Sequence, residues 1–131
     1  MWTTIRFLHV LSAIAWVGVQ LTLFALFPVL RGQLEPDRFR AVARAAGMRL
    51  GIVAAVTLPT LLVTGIALAS HEVPDSERGW VTAKLVLWAL ILAAFAGHAL
   101  TASRERRLWL SALMLAFSLT AVFIGTLLTE I

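Results

Sequence analysis

The segment FLHVLSAIAWVGVQLTLFALFPVL, residues 7–30, contains no Asp, Glu, Lys or Arg. Three further segments share this property, and they span residues 50–71, 85–103 and 108–129. Each of the four segments is close to the length of about 20 apolar residues at which an α-helix crosses the hydrocarbon core of a bilayer. Transmembrane β-strands need only about 10 alternating residues, which these segments do not match. The sequence therefore predicts four membrane-spanning helices.

The predicted fold is an all-α integral membrane protein, an up-down-up-down four-helix bundle that forms a single domain over residues 1–131. Short connectors favour antiparallel neighbours. With 60% hydrophobic and 14% charged residues, the chain has too little polar surface for a soluble domain of this size. The expected helices cover about 5–30, 48–70, 81–101 and 108–128.

The composition also excludes several function classes. The chain contains no cysteine, which rules out disulfides, thiolate metal sites and thiol redox chemistry. The net charge of +4 does not indicate nucleic acid, because the arginines lie in the connectors as membrane topology requires. No hydrolase motif, Walker loop or dinucleotide fingerprint is present.

Charge asymmetry predicts the orientation. Eight of the eleven basic residues lie in the first and third connectors, residues 31–49 and 104–107. The positive-inside rule then places these two connectors in the cytoplasm and both termini outside, in a bacterial-type inner membrane. From Pro36 and Asp37 onward, the first connector is amphipathic, and we expect it to lie along the cytoplasmic interface with a bend at Gly47.

Ionisable residues within membrane spans are costly and are functional candidates. His9 is one of these candidates. Helical spacing places Ser12, Trp16 and Gln20 on the same face of helix one as His9. This face is predicted to point into the bundle. The alternative is an interhelical hydrogen bond of His9 that only fixes packing.

Lys84 and His98 share a face of helix three and lie about 21 Å apart along its axis. Lys84 is a snorkelling residue, a cation for a carboxylate or propionate, or an ion-pair partner inside the bundle. His98 lies near the cytoplasmic end, where Met48 or Met114 could approach it, or where it could reach water or a loop carbonyl. We expect an outer cluster of His9 and Lys84, which His71 could join, and a separate inner position at His98.

Small and hydroxyl residues receive structural interpretations. Thr57, Thr60 and Thr64 surround Pro59 in helix two, where their hydroxyls could satisfy backbone groups freed by the proline. Helix four carries small residues at seven-residue spacing, Ser111, Ser118 and Gly125, which favour close helix packing.

Three stretches resemble the copper-resistance protein D family: IRFLHVLSAIAWVG (5–18), LLVTGIALA (61–69) and GWVTAKLVLWALILAAFAGHA (79–99). The layout is also similar to that of the HemJ-type membrane protoporphyrinogen oxidases, with a helix-one His followed by a Trp and a Lys opening helix three. The first resemblance implies copper uptake or handling. The second implies b-type haem, with His9 as haem or metal ligand and Lys84 serving cofactor or substrate carboxylates.

Three functions stay open at this point. The first is a protein that binds haem b within the bundle, near His9, Ser12, Trp16 and Gln20, for electron transfer or oxidation of a lipophilic donor with a membrane redox partner. The second is a copper-handling protein with His9 and His71 outside and His98 inside as ligands, although Cu(I) prefers the Cys and Met that are scarce here. The third is an accessory subunit without cofactor. Four helices bury little by themselves, so a homodimer is expected.

Overall fold

The computed structural model describes residues 1–129, with the side chain of Thr129 outside the description. These residues form α1 (Trp2–Gln33), α2 (Pro36–Glu72), α3 (Arg78–Leu100) and α4 (Arg104–Thr129), with one turn of 3-10 helix at Asp75–Glu77. The described part of the chain contains no strand, and all four helices are long and apolar enough to cross a membrane. The prediction of an all-α protein with four candidate spans is confirmed.

The exposed surface of the helices is apolar, in the reverse of a soluble protein. Large side chains such as Phe7, Phe24, Ile52, Val63 and Phe123 are each more than 60% exposed. The transfer of such apolar side chains from water into hydrocarbon is favourable. The chain is therefore a multi-pass membrane protein whose outer surface suits lipid.

The start of α2 differs from the prediction. A separate helix along the interface with a bend at Gly47 was expected, whereas α2 is one continuous helix of 37 residues. The segment between Pro36 and the apolar run is rich in Ala and Arg, which are strong helix formers, and one glycine costs only about 1 kcal/mol in a helix. Phe39 packs edge-on against Phe27 of α1 at 5.9 Å, and the Arg31 guanidinium lies 4.8 Å from the Phe39 ring. These contacts hold the start of α2 beside α1.

The chain divides into two compact units, the first covering Met1–Gly65 and the second beginning at Ile66. In the first unit, α1 and most of α2 form an antiparallel hairpin. Phe27 meets Phe39 near the connector, and His9 meets Thr64 at the far end. The buried residues of this unit are Ser12, Trp16, Ala54, Thr57, Leu58 and Thr64.

The second unit contains a matching hairpin of α3 and α4. Gly97 faces Leu110 next to the connector. Lys84 lies nearer the start of α3 and faces Gly125, which lies nearer the end of α4. This antiparallel register puts Ile91 at about the height of Ser118. The buried residues of the described part of this unit are Ile91, Ala94, Met114, Ser118 and Ile124.

Candidate functional site

His9 is held by a hydrogen bond from α1 to α2. Its Nδ1 lies 2.8 Å from Oγ1 of Thr64. The Thr64 hydroxyl has a single hydrogen, and it donates this to the backbone carbonyl of Thr60 at 2.5 Å. Nδ1 must therefore carry the proton and donate it to Thr64. A neutral imidazole in this tautomer has its lone pair on Nε2, so the bond sets the orientation and the tautomer of His9.

Gly65 lets the imidazole approach the backbone of α2. A Cβ atom on this glycine would lie 3.1 Å from Cε1 of His9 and 3.7 Å from Nδ1. The first of these distances is tighter than an ordinary van der Waals contact, so a larger residue here would displace the ring. Thr64 and Gly65 together fix the half-buried side chain of His9 from two sides.

The sequence did not indicate that Thr64 and Gly65 are partners of His9. Thr64 was instead assigned to the kink at Pro59. The three threonine hydroxyls in fact donate to the carbonyls four residues earlier, those of Val53, Val56 and Thr60. The carbonyl freed by Pro59 is that of Ala55. Counting outward from the connector would not have found the pair, since Thr64 lies about one turn farther from the start of α2 than His9 lies from the end of α1.

The remaining predicted residues of α1 share one face with His9. Ser12 and Trp16 are the buried residues of this helix, and Gln20 is half-buried. A face with this burial stands out because the neighbouring residues Phe7 and Leu8 are exposed. It offers His9 a small residue one turn away and an aromatic ring two turns away. Whether these side chains line a cofactor stays a prediction.

Lys84 lies against the backbone of α4. A Cβ atom on Gly125 would stand 3.0 Å from its Nζ, so the stripe of small residues predicted on helix four makes room for the lysine. The half-buried ammonium makes no hydrogen bond or ion pair with any residue in the described range. One turn farther along α3, the Nε1 atom of Trp88 is buried and has no hydrogen-bond acceptor within residues 1–129.

The structure does not bring Lys84 and His98 together, because the rise of α3 places them about 21 Å apart along the helix. His98 is half-buried in the last turn of α3, and His71 is exposed at the end of α2. Met48 is 70% exposed, whereas Met114 is buried.

Among the described residues, no group of three His, Cys, Asp or Glu side chains is placed to hold a metal ion. The strongest candidate ligand is therefore a single oriented imidazole, His9, supported by Thr64 and Gly65. Comparison of the chain with protein-family models, with curated proteins and with solved structures gave no match.

Proposed function

We propose that this protein binds b-type haem in the membrane through His9 and serves electron transfer or oxidation of a lipophilic donor. The observation that carries the proposal is the hydrogen bond from Nδ1 of His9 to Thr64, which holds the imidazole in one orientation within α1 and α2. Histidines that bind metals almost always donate their other ring N–H to an oxygen acceptor. Imidazole is also an ordinary axial ligand of haem iron.

The surroundings of His9 suit an apolar macrocycle. Trp16 on the same face supplies a flat apolar surface, and Ser12 takes up little space beside the imidazole. In this proposal His9 holds the iron, Thr64 fixes the ring and raises its basicity, and Ser12 with Trp16 borders the haem. Bound haem supplies the one-electron chemistry, and the protein supplies position and surroundings. The electrons would pass to a redox partner in the membrane.

The resemblance to the HemJ-type oxidases supports the same assignment, since it rests on His9 followed by Trp16 and on Lys84 after Trp80. The proposal extends to orientation. The first and third connectors face the cytoplasm of a bacterial-type cell because they carry most of the arginines. It also includes a homodimer, which a monomer mass in mild detergent would exclude.

The first test is the absorbance spectrum of the protein purified in detergent from cells with ample haem supply, as isolated and after dithionite. Bound haem b gives a Soret band, with α and β bands that sharpen on reduction. A spectrum without visible bands would overturn the proposal.

The ligand assignment is tested by His9→Gln, because glutamine keeps an N–H for Thr64 and cannot replace imidazole on iron. We expect this variant to lose the Soret band. The matched control is His98→Gln, in the last turn of α3, which should keep it. Haem retention in His9→Gln would show that His9 only fixes packing.

A further inference from the structure

Two hydrogen-bond donors of α3 take no part in the contacts with Thr64 and Gly65 that hold His9. Lys84 presents a half-buried ammonium against Gly125, and within the described residues nothing accepts a hydrogen bond from it or carries a charge to pair with it. The buried Nε1 of Trp88 equally lacks an acceptor in residues 1–129. Residues four apart in a helix are neighbours on one face, so the two donors lie one turn apart.

Such a pair is costly in a membrane protein. An indole N–H withdrawn from water without an acceptor loses the free energy of its hydrogen bond. An ammonium without a counter-ion loses more. The negative end of the α4 dipole compensates part of the charge, because Gly125 lies in the last two turns of that helix. However, no carbonyl at this end of α4 accepts a hydrogen bond from Lys84 or Trp88 within the described residues.

One kind of ligand satisfies both donors and the charge together: an oxyanion with at least two acceptor oxygens. Lys84 lies six residues after the start of α3 at Arg78, about 9 Å along the helix and hence close to the membrane interface. The side chains around it on α3, Trp80, Leu85 and Val86, are exposed and apolar. A ligand that reaches this depth has an acidic head and a hydrocarbon body.

We propose that Lys84 Nζ and Trp88 Nε1–H bind the head group of an acidic membrane amphiphile, a carboxylate or a phosphate ester. Gly125 is part of this site because its missing side chain leaves the space that the ammonium occupies. The site rests on the α3–α4 hairpin alone. None of the observations behind it involves His9.

The chain offers a direct probe, because Lys84 is the only lysine among its 131 residues. Reductive methylation with ¹³C-formaldehyde labels Lys84 and the amino terminus, and Met1 is 87% exposed and serves as the internal reference. The protein in phosphatidylcholine nanodiscs is titrated with dodecanoate, dodecyl phosphate or dodecanol. We expect a saturable shift of the Lys84 signal with at least one acid and none with dodecanol. An equal shift with dodecanol would overturn the proposal, and the comparison of the two acids distinguishes a carboxylate from a phosphate ligand.

Variants test the donors one at a time, with binding followed on the ligand by ¹³C or ³¹P signals so that Lys84 is not needed as reporter. Loss of one hydrogen bond to a charged group weakens binding about tenfold or more. We expect this for Trp88→Phe and a larger loss for Lys84→Met, with partial recovery in Lys84→Arg. Trp109→Phe is the control, since Trp109 is exposed at the other end of the hairpin.

Binding by Trp88→Phe at the wild-type affinity would refute the role of the indole. Binding by Lys84→Met at that affinity would refute the site. All titrations are repeated in His9→Gln. Acid binding that survives there separates this proposal from the haem proposal, because each then stands or fails by its own measurement.

Discussion

Replacing Thr64 by valine removes one hydroxyl and keeps the branched shape of the side chain. The Nδ1–Oγ1 distance of 2.8 Å is that of an ordinary hydrogen bond, and valine leaves the Nδ1–H of His9 without this acceptor. Loss of such an outer partner lowers metal affinity by about 10- to 100-fold. This corresponds to about 1.4–2.8 kcal/mol of haem-binding free energy. Because the imidazole also becomes a weaker electron donor, the midpoint potential of the haem should rise.

The assay is a titration of haem into haem-free protein, followed by the Soret band, with a redox titration of the loaded sample. Thr60→Val is the matched control. Its hydroxyl also donates to the carbonyl four residues earlier, that of Val56, at 2.7 Å, and it makes no contact with His9 that matches the one from Thr64. Thr60→Val should bind haem like the wild type. Equal affinity and potential in Thr64→Val, or the same loss in both variants, would refute the positioning of His9 by Thr64.

Three further predictions concern the backbone contact, the hairpin end and the topology. Gly65→Ala should weaken haem binding, because its methyl group meets Cε1 of His9 at 3.1 Å. The control is Gly51→Ala, whose methyl group has nothing within 4 Å. It should leave the haem affinity unchanged and stabilise the helix by up to about 1 kcal/mol. Equal haem affinity in the two variants would contradict this. Phe39→Ala should lower the unfolding free energy in detergent titrations by about 1–2.5 kcal/mol, since it removes one aromatic pair and one cation–π contact, whereas the exposed Phe24→Ala should cost less. In a chain without cysteine, a membrane-impermeant maleimide applied to intact cells should label Ser76→Cys and not Ser103→Cys; the opposite pattern would invert the topology.

The four helices could be predicted from the sequence because span length and the absence of charge are local properties. The ends of the helices could not, since residues 36–49 carry charges that a membrane span excludes and still favour helix, so α2 already begins at Pro36. The grouping of His9 with Ser12 and Trp16 followed from helical spacing on one helix. Its partners Thr64 and Gly65 depend on how two helices are turned toward each other, and apolar residues on all sides of a membrane helix give little indication of that rotation. For the same reason the contact between Lys84 and Gly125 could not be predicted, although the sequence did indicate the stripe of small residues on α4.

Each hairpin, taken by itself, sets an ionisable side chain of its first helix against a glycine of its second helix, at the end away from its own connector. A glycine is effective there because the apolar segments offer no carboxylate, and close approach to the backbone brings the side chain near peptide dipoles. The chemistry that results differs between the hairpins. Beside Gly65 the Thr64 hydroxyl accepts from His9, which yields an oriented imidazole suited to a resident cofactor. Beside Gly125 the hydroxyl of Thr126 donates to the carbonyl of Phe123. Lys84 makes no hydrogen bond to any residue in the described range, which suits the exchangeable acidic ligand proposed above. On this argument, loss of haem and loss of acid binding should follow from different substitutions.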